Sequence, residues 1–345
     1  MGRAPTLTAA PPPGSPFHRG ESAVQARAGV RAMAERVGGI IAPEISPAFG
    51  AFLRTVRVAA VGAPDAERRV WATMLVAAPG FLEAERDALR VGAAPAAGDA
   101  LRAALGGARG ATGAPTPVGV TAIDFGTRRR VRVNGVLADG APERGARPGL
   151  GFVVAVREAY GNCPKYIQAR AVPAGPTAAP ADVPLADAAD RLTDAQQAWL
   201  RAADTCFLAS VGPTEDGPTE GGTPGRADAS HRGGAPGFLA VPDAGRVVLP
   251  DYPGNAMFNT LGNLAVDPRV GVVVPDFARG RLLQLSGTAA VDWRPAAAAA
   301  FPGAERVVVL TVERVREVAG ALPAGWSAPQ PSPLNPPAPV RPPAA

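Results

Sequence analysis

Lysine is almost missing from this chain: Lys165 is the only one in 345 residues. Two cysteines, Cys163 and Cys206, and two histidines, His18 and His231, lie far apart, which excludes a disulfide framework and a structural zinc site. No metal is expected, and a reducing, cytoplasmic setting is. No run approaches the roughly 18 apolar residues a membrane helix needs, so no membrane role is expected. The N-terminus has no apolar signal core, and its loose match to a myristoylation pattern falls in a Pro/Ala-rich stretch, where it reads as accidental. A nucleophile elbow and a zinc motif are absent, and the lone lysine stands in the wrong context for a phosphate-binding P-loop.

What is present is a globular composition, 47% hydrophobic and 19% charged, at a length that suits two domains rather than one core. The net charge is +5 and the isoelectric point about 10.0. The arginines are scattered rather than clustered with aromatics, which points to an anionic small ligand and away from nucleic acid. Against this background the stretch from Glu158 to Gln168 stands out. It holds the only lysine, two of three tyrosines and one of two cysteines. A lysine kept where every other cation is arginine marks a position where a compact ammonium differs from a planar guanidinium.

In chain order, residues 1–16 read as a disordered Pro-rich tail. Ser22 with Gln25 reads as a capping box before a helix ending at Gly38-Gly39, and Ser46-Pro47 opens a second helix. Strand-like runs follow at Val56–Val61, Val70–Val76, Ala88–Val91, Val118–Phe125, Arg130–Leu137 and Phe152–Val156, with Asp99 capping a short helix between the third and fourth. Residues 171–190 read as a linker. Thr193 and Gln196 form another capping box, and the pattern restarts with a strand at Cys206–Val211.

The restart is a repeat. Ala235–Leu239 copies Ala78–Leu82, Val270-Gly271-Val272 copies Val118-Gly119-Val120, Asp276-Phe277 copies Asp124-Phe125, and Gly287 falls where Gly135 does, at offsets of 152 to 157. Two copies, residues 17–170 with the N-terminal helix and residues 191–326, are expected as small antiparallel barrels of about six strands each, packed as a pseudo-dimer with a ligand groove between them. Residues 327–345 read as a second disordered tail.

The copies differ in chemistry. The segment Asp228–Gly234 is polar, cationic and glycine-rich where the first copy has the apolar Trp71–Ala77, and Ser230, Arg232 and Gly233 suit a phosphate. Asn255, Asn259 and Asn263 would form one amide stripe on a helix capped by Asn255, an anion or heterocycle site; the first copy has Asp99 and Ala103 at the matching places.

The segments SHRGGAPGFL, DYPGNAMFNTLGNLAVDPRVGV, DFARGRLLQLSG and YGNCPKYIQ resemble the pyridoxamine 5'-phosphate oxidase-like family of FMN-binding split β-barrels, in its tandem branch. The resemblance implies a mainly β fold of two split barrels, an FMN at their interface and redox chemistry on the flavin. It places Ser230, His231, Arg232, Gly233 and the Asn255–Asn263 region at the phosphate, Arg281 and Gln284 near the ring, and Lys165, Tyr166 and Gln168 in the branch's own motif. The substrate, or a separate redox partner, is left open, as is a homodimer. The alternatives are a non-catalytic flavin carrier and a haem- or deazaflavin-binding barrel, His231 being the axial candidate for haem.

Overall fold

The computed structural model describes residues 14–106, 115–138, 151–173, 189–213 and 225–338. Three helices come first: α1 (Arg19–Arg27), α2 (Arg31–Gly38) and α3 (Pro47–Thr55). The first sheet follows as β1 (Val58–Pro64), β2 (Val70–Val76), β3 (Leu82–Ala84), β4 (Ala88–Val91), a short α4 (Arg102–Leu105), β5 (Pro117–Asp124), β6 (Arg129–Leu137) and β7 (Phe152–Asn162). The second sheet is led by α5 (Asp194–Ala202) and runs β8 (Thr205–Gly212), β9 (Arg226–Gly233), β10 (Ala240–Asp243), β11 (Arg246–Asp251), α6 (Asn259–Val266), β12 (Arg269–Asp276), β13 (Arg281–Asp292), α7 (Pro295–Ala298) and β14 (Arg306–Val318). Each sheet has seven antiparallel strands. The expected six fell short because β3 and β10 are too brief to carry an alternating pattern.

The two sheets share one topology. The first runs β3-β4-β7-β6-β5-β1-β2 and the second β10-β11-β14-β13-β12-β8-β9, the same order with each strand replaced by its counterpart. Both carry one register shift at the same place, Asn134/Gly135 against β7 and Ser286/Gly287 against β14. Glycine is required there because a Cβ on Gly135 would lie 1.9 Å from Ala155 O, and one on Gly287 2.0 Å from Thr311 O. The fold is two tandem split-barrel-like domains.

Each sheet wraps a core of its own, around Leu53, Leu82 and Val120 in the first and Leu200, Leu261 and Leu283 in the second. A third core, with Ala60, Met74, Phe207 and Val273, lies where the sheets meet and contains residues of both. Close approach there depends on glycine. A Cβ on Gly119 would lie 2.6 Å from Ala229 N, and one on Gly271, its counterpart, 2.5 Å from Trp71 Cα.

Local capping departs from the sequence expectation at three places. The first helix is capped by His18 with Glu21 completing the box, not by Ser22 and Gln25, and the chain breaks at Ala28–Val30 into two helices. This helix packs on α6 of the second half, where a Cβ on Gly20 would meet Gly262 O at 2.2 Å and Gln25 Nε2 donates to Met257 O. The N-terminal helix thus docks on the second unit, not on the first to which it was assigned. Third, Asn255 caps nothing: α6 starts at Asn259, after Phe258 in a left-handed conformation (φ 59°), and Asn255 Oδ1 accepts from Met257 N in a tight turn. Ser46 and the Thr193/Gln196 box cap α3 and α5 as expected.

The ends also pack more than expected. Phe17 is buried and Pro16 O accepts from Arg226 Nη1, while residues 1–13 lie outside the described residues. Of the C-terminal stretch expected to be disordered, residues 327–338 are in place. Ala169 and Gln330 form a two-residue bridge, Ser332 is buried, and Asn335 bonds Gln168. Proline and polar residues without periodicity do not exclude an extended strap that binds through backbone groups, and that is how this segment is held. No helix among the described residues is long and apolar enough to cross a membrane.

Candidate functional site

A groove of about 310 Å³ opens between the halves, built by β6 and the end of β7 on one side and by β9 and the loop from β11 to α6 on the other. Alternation in a strand puts Arg130 and Arg132 of β6 on one face, and both line the groove. Opposite them lie Ser230, His231, Arg232 and Gly233 of β9, with Asp251, Tyr252, Asn255 and Asn259. Val30, just before α2, and Met33 of α2 close one rim, and Met33 is half exposed. Tyr166 and Tyr252 pack at a tilt of 44° with ring centroids 5.3 Å apart.

The polar groups of the floor are largely satisfied by one another. Arg132 pairs with Asp228 at 2.7 Å and donates to Ser230 Oγ at 2.8 Å, Tyr160 Oη at 3.1 Å and Asn259 Oδ1 at 3.2 Å. Ser230 in turn donates to Asp228 Oδ2. Asn259 Nδ2 donates to Glu21 Oε1 at 2.6 Å, and Asn263, buried, bonds His18 Nε2 and Ser210 Oγ. The amide stripe is therefore spent inside the protein. Asn259 and Asn263 tie α6 to α1 and β8, and only Asn255 and Asn259 reach the groove.

Arg232, the expected phosphate partner, already forms an ion pair with Asp251 at 2.8 Å. Arg130 does not: among the described residues it has no carboxylate partner, its contacts being His231 O at 3.5 Å and Cys163 Sγ at 3.9 Å, and its Nε has no partner at all. Burial, with Arg132 and Arg232 adding repulsion, lowers its pKa to about 10. The guanidinium keeps its charge at neutral pH but gains little for it within the protein. Such a cation is poised for an anion brought by a ligand.

His231 is buried edge-on to Phe207 at 5.4 Å, and neither ring nitrogen has a partner. Burial, reinforced by Arg130, Arg232 and Arg170, holds its pKa well below the ordinary value, so the ring is neutral. Beneath the groove, Glu21 is raised to about 8, by burial first and by Glu158 second. Among the described residues no cluster of His, Cys, Asp and Glu could hold a metal ion.

The expected site residues thus divide. Ser230, His231, Arg232, Gly233, Asn255, Asn259 and Tyr166 come together around the groove. Lys165 lies half-buried just outside, its Nζ 3.4 Å from Pro253 O. Gln168 is turned away and anchors the C-terminal strap through Ser332 N and Asn335. Gln284 is fully buried between the halves, bonded to Ala72 O, Asp99 and Ala100 N, and Arg281 pairs with Asp276 and Glu317 on another face. Neither Arg281 nor Gln284 lines the groove, which corrects the expectation that they flank a bound ring. The sequence reading missed Arg130 and Arg132. The signal was two arginines at i and i+2 on a strand, one face of which had to meet the other copy.

Residues 192–319 match the sequence family described as Pyridoxamine 5'-phosphate oxidase. The match is confined to the second half of the chain. The first half repeats its strand order and its bulge. No curated protein sequence matches the chain. Among solved structures, Group A Streptococcus HupZ aligns at 13% identity over 39% of this chain and 99% of its own, with a TM-score of 0.29. A Lactobacillus delbrueckii protein provisionally named pyridoxamine 5'-phosphate oxidase aligns at 20% identity over 38% and 97%, with a TM-score of 0.28. An F420 reductase aligns at 14% identity over 39% and 98%, with a TM-score of 0.25.

Proposed function

We propose that the groove binds a flavin nucleotide, FMN in the first instance, and that the protein is a flavin-dependent oxidoreductase acting on a small molecule or with a separate redox partner. The observation that carries this is Arg130, a half-buried cation in the groove without a carboxylate partner among the described residues, beside aromatic walls. A ligand that joins an anion to a flat ring answers both features. The family relationship of the second half adds support.

A bound flavin supplies the electron sink. The chain's own residues supply the rest. Arg130 would hold the anion, with Asn255 and the paired Arg232 beside it, while Tyr166, Tyr252 and Phe238 wall the ring region and exclude water. His231, neutral and buried, adds no charge to the groove. A deazaflavin nucleotide carries the same chemistry, and a non-catalytic carrier would use the same groove. Haem draws no support from His231, whose ring is packed against Phe207.

The test compares FMN with riboflavin. Arg130→Ala should weaken FMN by about 1.5–3 kcal/mol, the scale of a charged hydrogen bond, and leave riboflavin nearly unchanged. Arg232→Ala should cost FMN less, because Asp251 already compensates that charge. Equal losses for FMN and riboflavin in Arg130→Ala would remove the anion from this position. Bleaching of the bound flavin by a reduced nicotinamide, with recovery on adding an acceptor, separates an enzyme from a carrier.

A further inference from the structure

Tyr166, a wall of the groove, adopts a left-handed backbone conformation (φ 64°), which is unfavourable for a bulky residue and persists only where neighbours impose it. Its hydroxyl donates to Pro253 O at 2.9 Å, its ring packs on Tyr252, and its carbonyl lies so close to β9 that a Cβ on Gly233 would collide with it. That carbonyl accepts from Gln168 Nε2 at 3.0 Å. Tyr166, from the first half, is thus a wall that reaches onto the second.

Gln168 is 2% exposed, and all four hydrogen-bonding positions of its amide are filled. Besides Tyr166 O, Nε2 donates to Asn335 Oδ1 at 3.0 Å, and Oε1 accepts from Ser332 N at 2.9 Å and Asn335 Nδ2 at 2.8 Å. The pair with Asn335 alone would survive if both amides turned over together. Tyr166 O can only accept and Ser332 N can only donate, so these two backbone groups fix the orientation. Three of the four bonds come from the C-terminal strap, and the fourth goes to the groove wall. The strap grips the same stretch elsewhere. Ala169 and Gln330 exchange hydrogen bonds at 2.9 and 2.8 Å, and Arg128 donates to Ile167 O, Gln330 O and Pro331 O at 3.0, 3.1 and 3.3 Å.

We propose that Gln168 is a positioning residue of the groove: it couples docking of the strap, residues 327–338, to the placement of Tyr166. The strap is then a working part of the ligand site, although none of its residues lines the groove. When the strap leaves, Gln168 Oε1 loses both its donors, the amide turns to water, and the Tyr166 carbonyl loses its side-chain donor. The inference concerns the wall itself, and only its FMN measurement rests on the flavin reading.

The chain has three tyrosines, so protein labelled with 3-fluorotyrosine gives three fluorine NMR signals, assigned by replacing each tyrosine with phenylalanine in turn. Gln168→Leu keeps the bulk of the side chain and removes its four bonds. The signals of Tyr166 and Tyr252 should shift, and that of Tyr160, fully buried and bonded to Arg132, should stay. Asn335→Leu should move the same two signals in the same direction but less, and no further in the Gln168→Leu background, because it acts through Gln168. Being a change on the strap, it tests the coupling even where Gln168→Leu does not fold. FMN should bind Gln168→Leu about 2- to 10-fold more weakly than the parent, the scale of one lost hydrogen bond. A Tyr166 signal unmoved by either substitution, or a Tyr160 signal displaced as far as that of Tyr166, would overturn the proposal. The first uncouples strap from wall, and the second reduces Gln168 to general packing. Additive shifts in the double variant, or an FMN affinity unchanged where the Tyr166 signal has moved, would overturn it too. A parent that binds no FMN would sink the flavin reading and leave the fluorine signals to decide this one.

Discussion

Glu21 offers a test of the packing between α1 and the second domain. Its carboxylate is 3% exposed and accepts from His18 N at 2.9 Å and Asn259 Nδ2 at 2.6 Å, with Glu158 nearby and Arg226 as the facing cation. Burial raises its pKa from 4.5 to about 8. A carboxyl group whose folded pKa is raised contributes stability that is full below the unfolded value and lost as pH rises towards the folded one. His18 works in the opposite sense: burial lowers it to about 4, so its contribution is full above 6.5 and lost as pH falls. Of these two groups, Glu21 is the one that changes between pH 6.5 and 8. One bound proton over 1.5 units corresponds to about 2 kcal/mol of lost stability in that window. Urea unfolding at half-unit steps should show the midpoint falling with m unchanged. Glu21→Gln keeps the shape and one accepted hydrogen bond, and should flatten the profile while costing about 1 kcal/mol at pH 6.5. Parallel profiles for parent and variant from pH 6.5 to 8 would show that Glu21 ionises normally and that α1 does not seal it from water.

Other outcomes follow from the packing. Gly119→Val puts a Cβ 2.6 Å from the Ala229 amide nitrogen, a backbone atom that cannot turn aside, so the melting temperature should fall by an amount equivalent to at least 1–3 kcal/mol, by about the usual cost of overpacking, whereas Gly245→Ala, with only Asp243 Oδ1 at 3.5 Å, should be mild. Deleting residues 327–345 removes the partners of Gln168 and Arg128 and should lower the melting temperature by several degrees, roughly 2 kcal/mol, measured by calorimetry; an unchanged value would make the strap dispensable.

What could be read from the sequence was whatever local chemistry decides. Val70–Val76 and Ala88–Val91 coincide with strands because turn residues bound them on both sides. Ser46-Pro47 and Thr193/Gln196 cap helices because the cap is made within four residues. Asn255, Asn259 and Asn263 misled for the opposite reason. Helical spacing was real for the last two, but whether an amide faces a ligand or a neighbour depends on Glu21, His18 and Ser210, which are distant in sequence. The same holds for Gln284 and Gln168: each is a polar residue in a distinctive motif, and each is consumed by a long-range contact. Arg130 was the converse, an ordinary residue in an arginine run that becomes distinctive only when the second sheet covers it.

The two sheets obey one register, so each groove residue has a defined counterpart. Val61 of β1 pairs with Thr73 and Val120, and Leu208 of β8 pairs with Ser230 and Val272, which makes Thr73, Met74 and Leu75 the counterparts of Ser230, His231 and Arg232. By the same pairing Leu282 and Gln284 correspond to Arg130 and Arg132. At the second position the cations have gone. Leu282, Met74 and Leu75 are buried in apolar contact, and Gln284 with Thr73 and Asp99 forms a closed set of hydrogen bonds. Asp99, buried and bonded to Thr73 and Gln284, supplies no cation there. A pair of grooves that pseudo-symmetry makes geometrically equivalent is thus chemically unequal, one cationic and open, the other apolar and filled. On the flavin proposal, titration of the apo-protein with FMN should saturate near one equivalent per chain, followed by quenching of flavin fluorescence. Thr73→Ala or Gln284→Leu should leave that stoichiometry unchanged, since neither residue lines the open groove. Saturation at two equivalents would mean that the filled position opens for a ligand and that the counterpart argument fails.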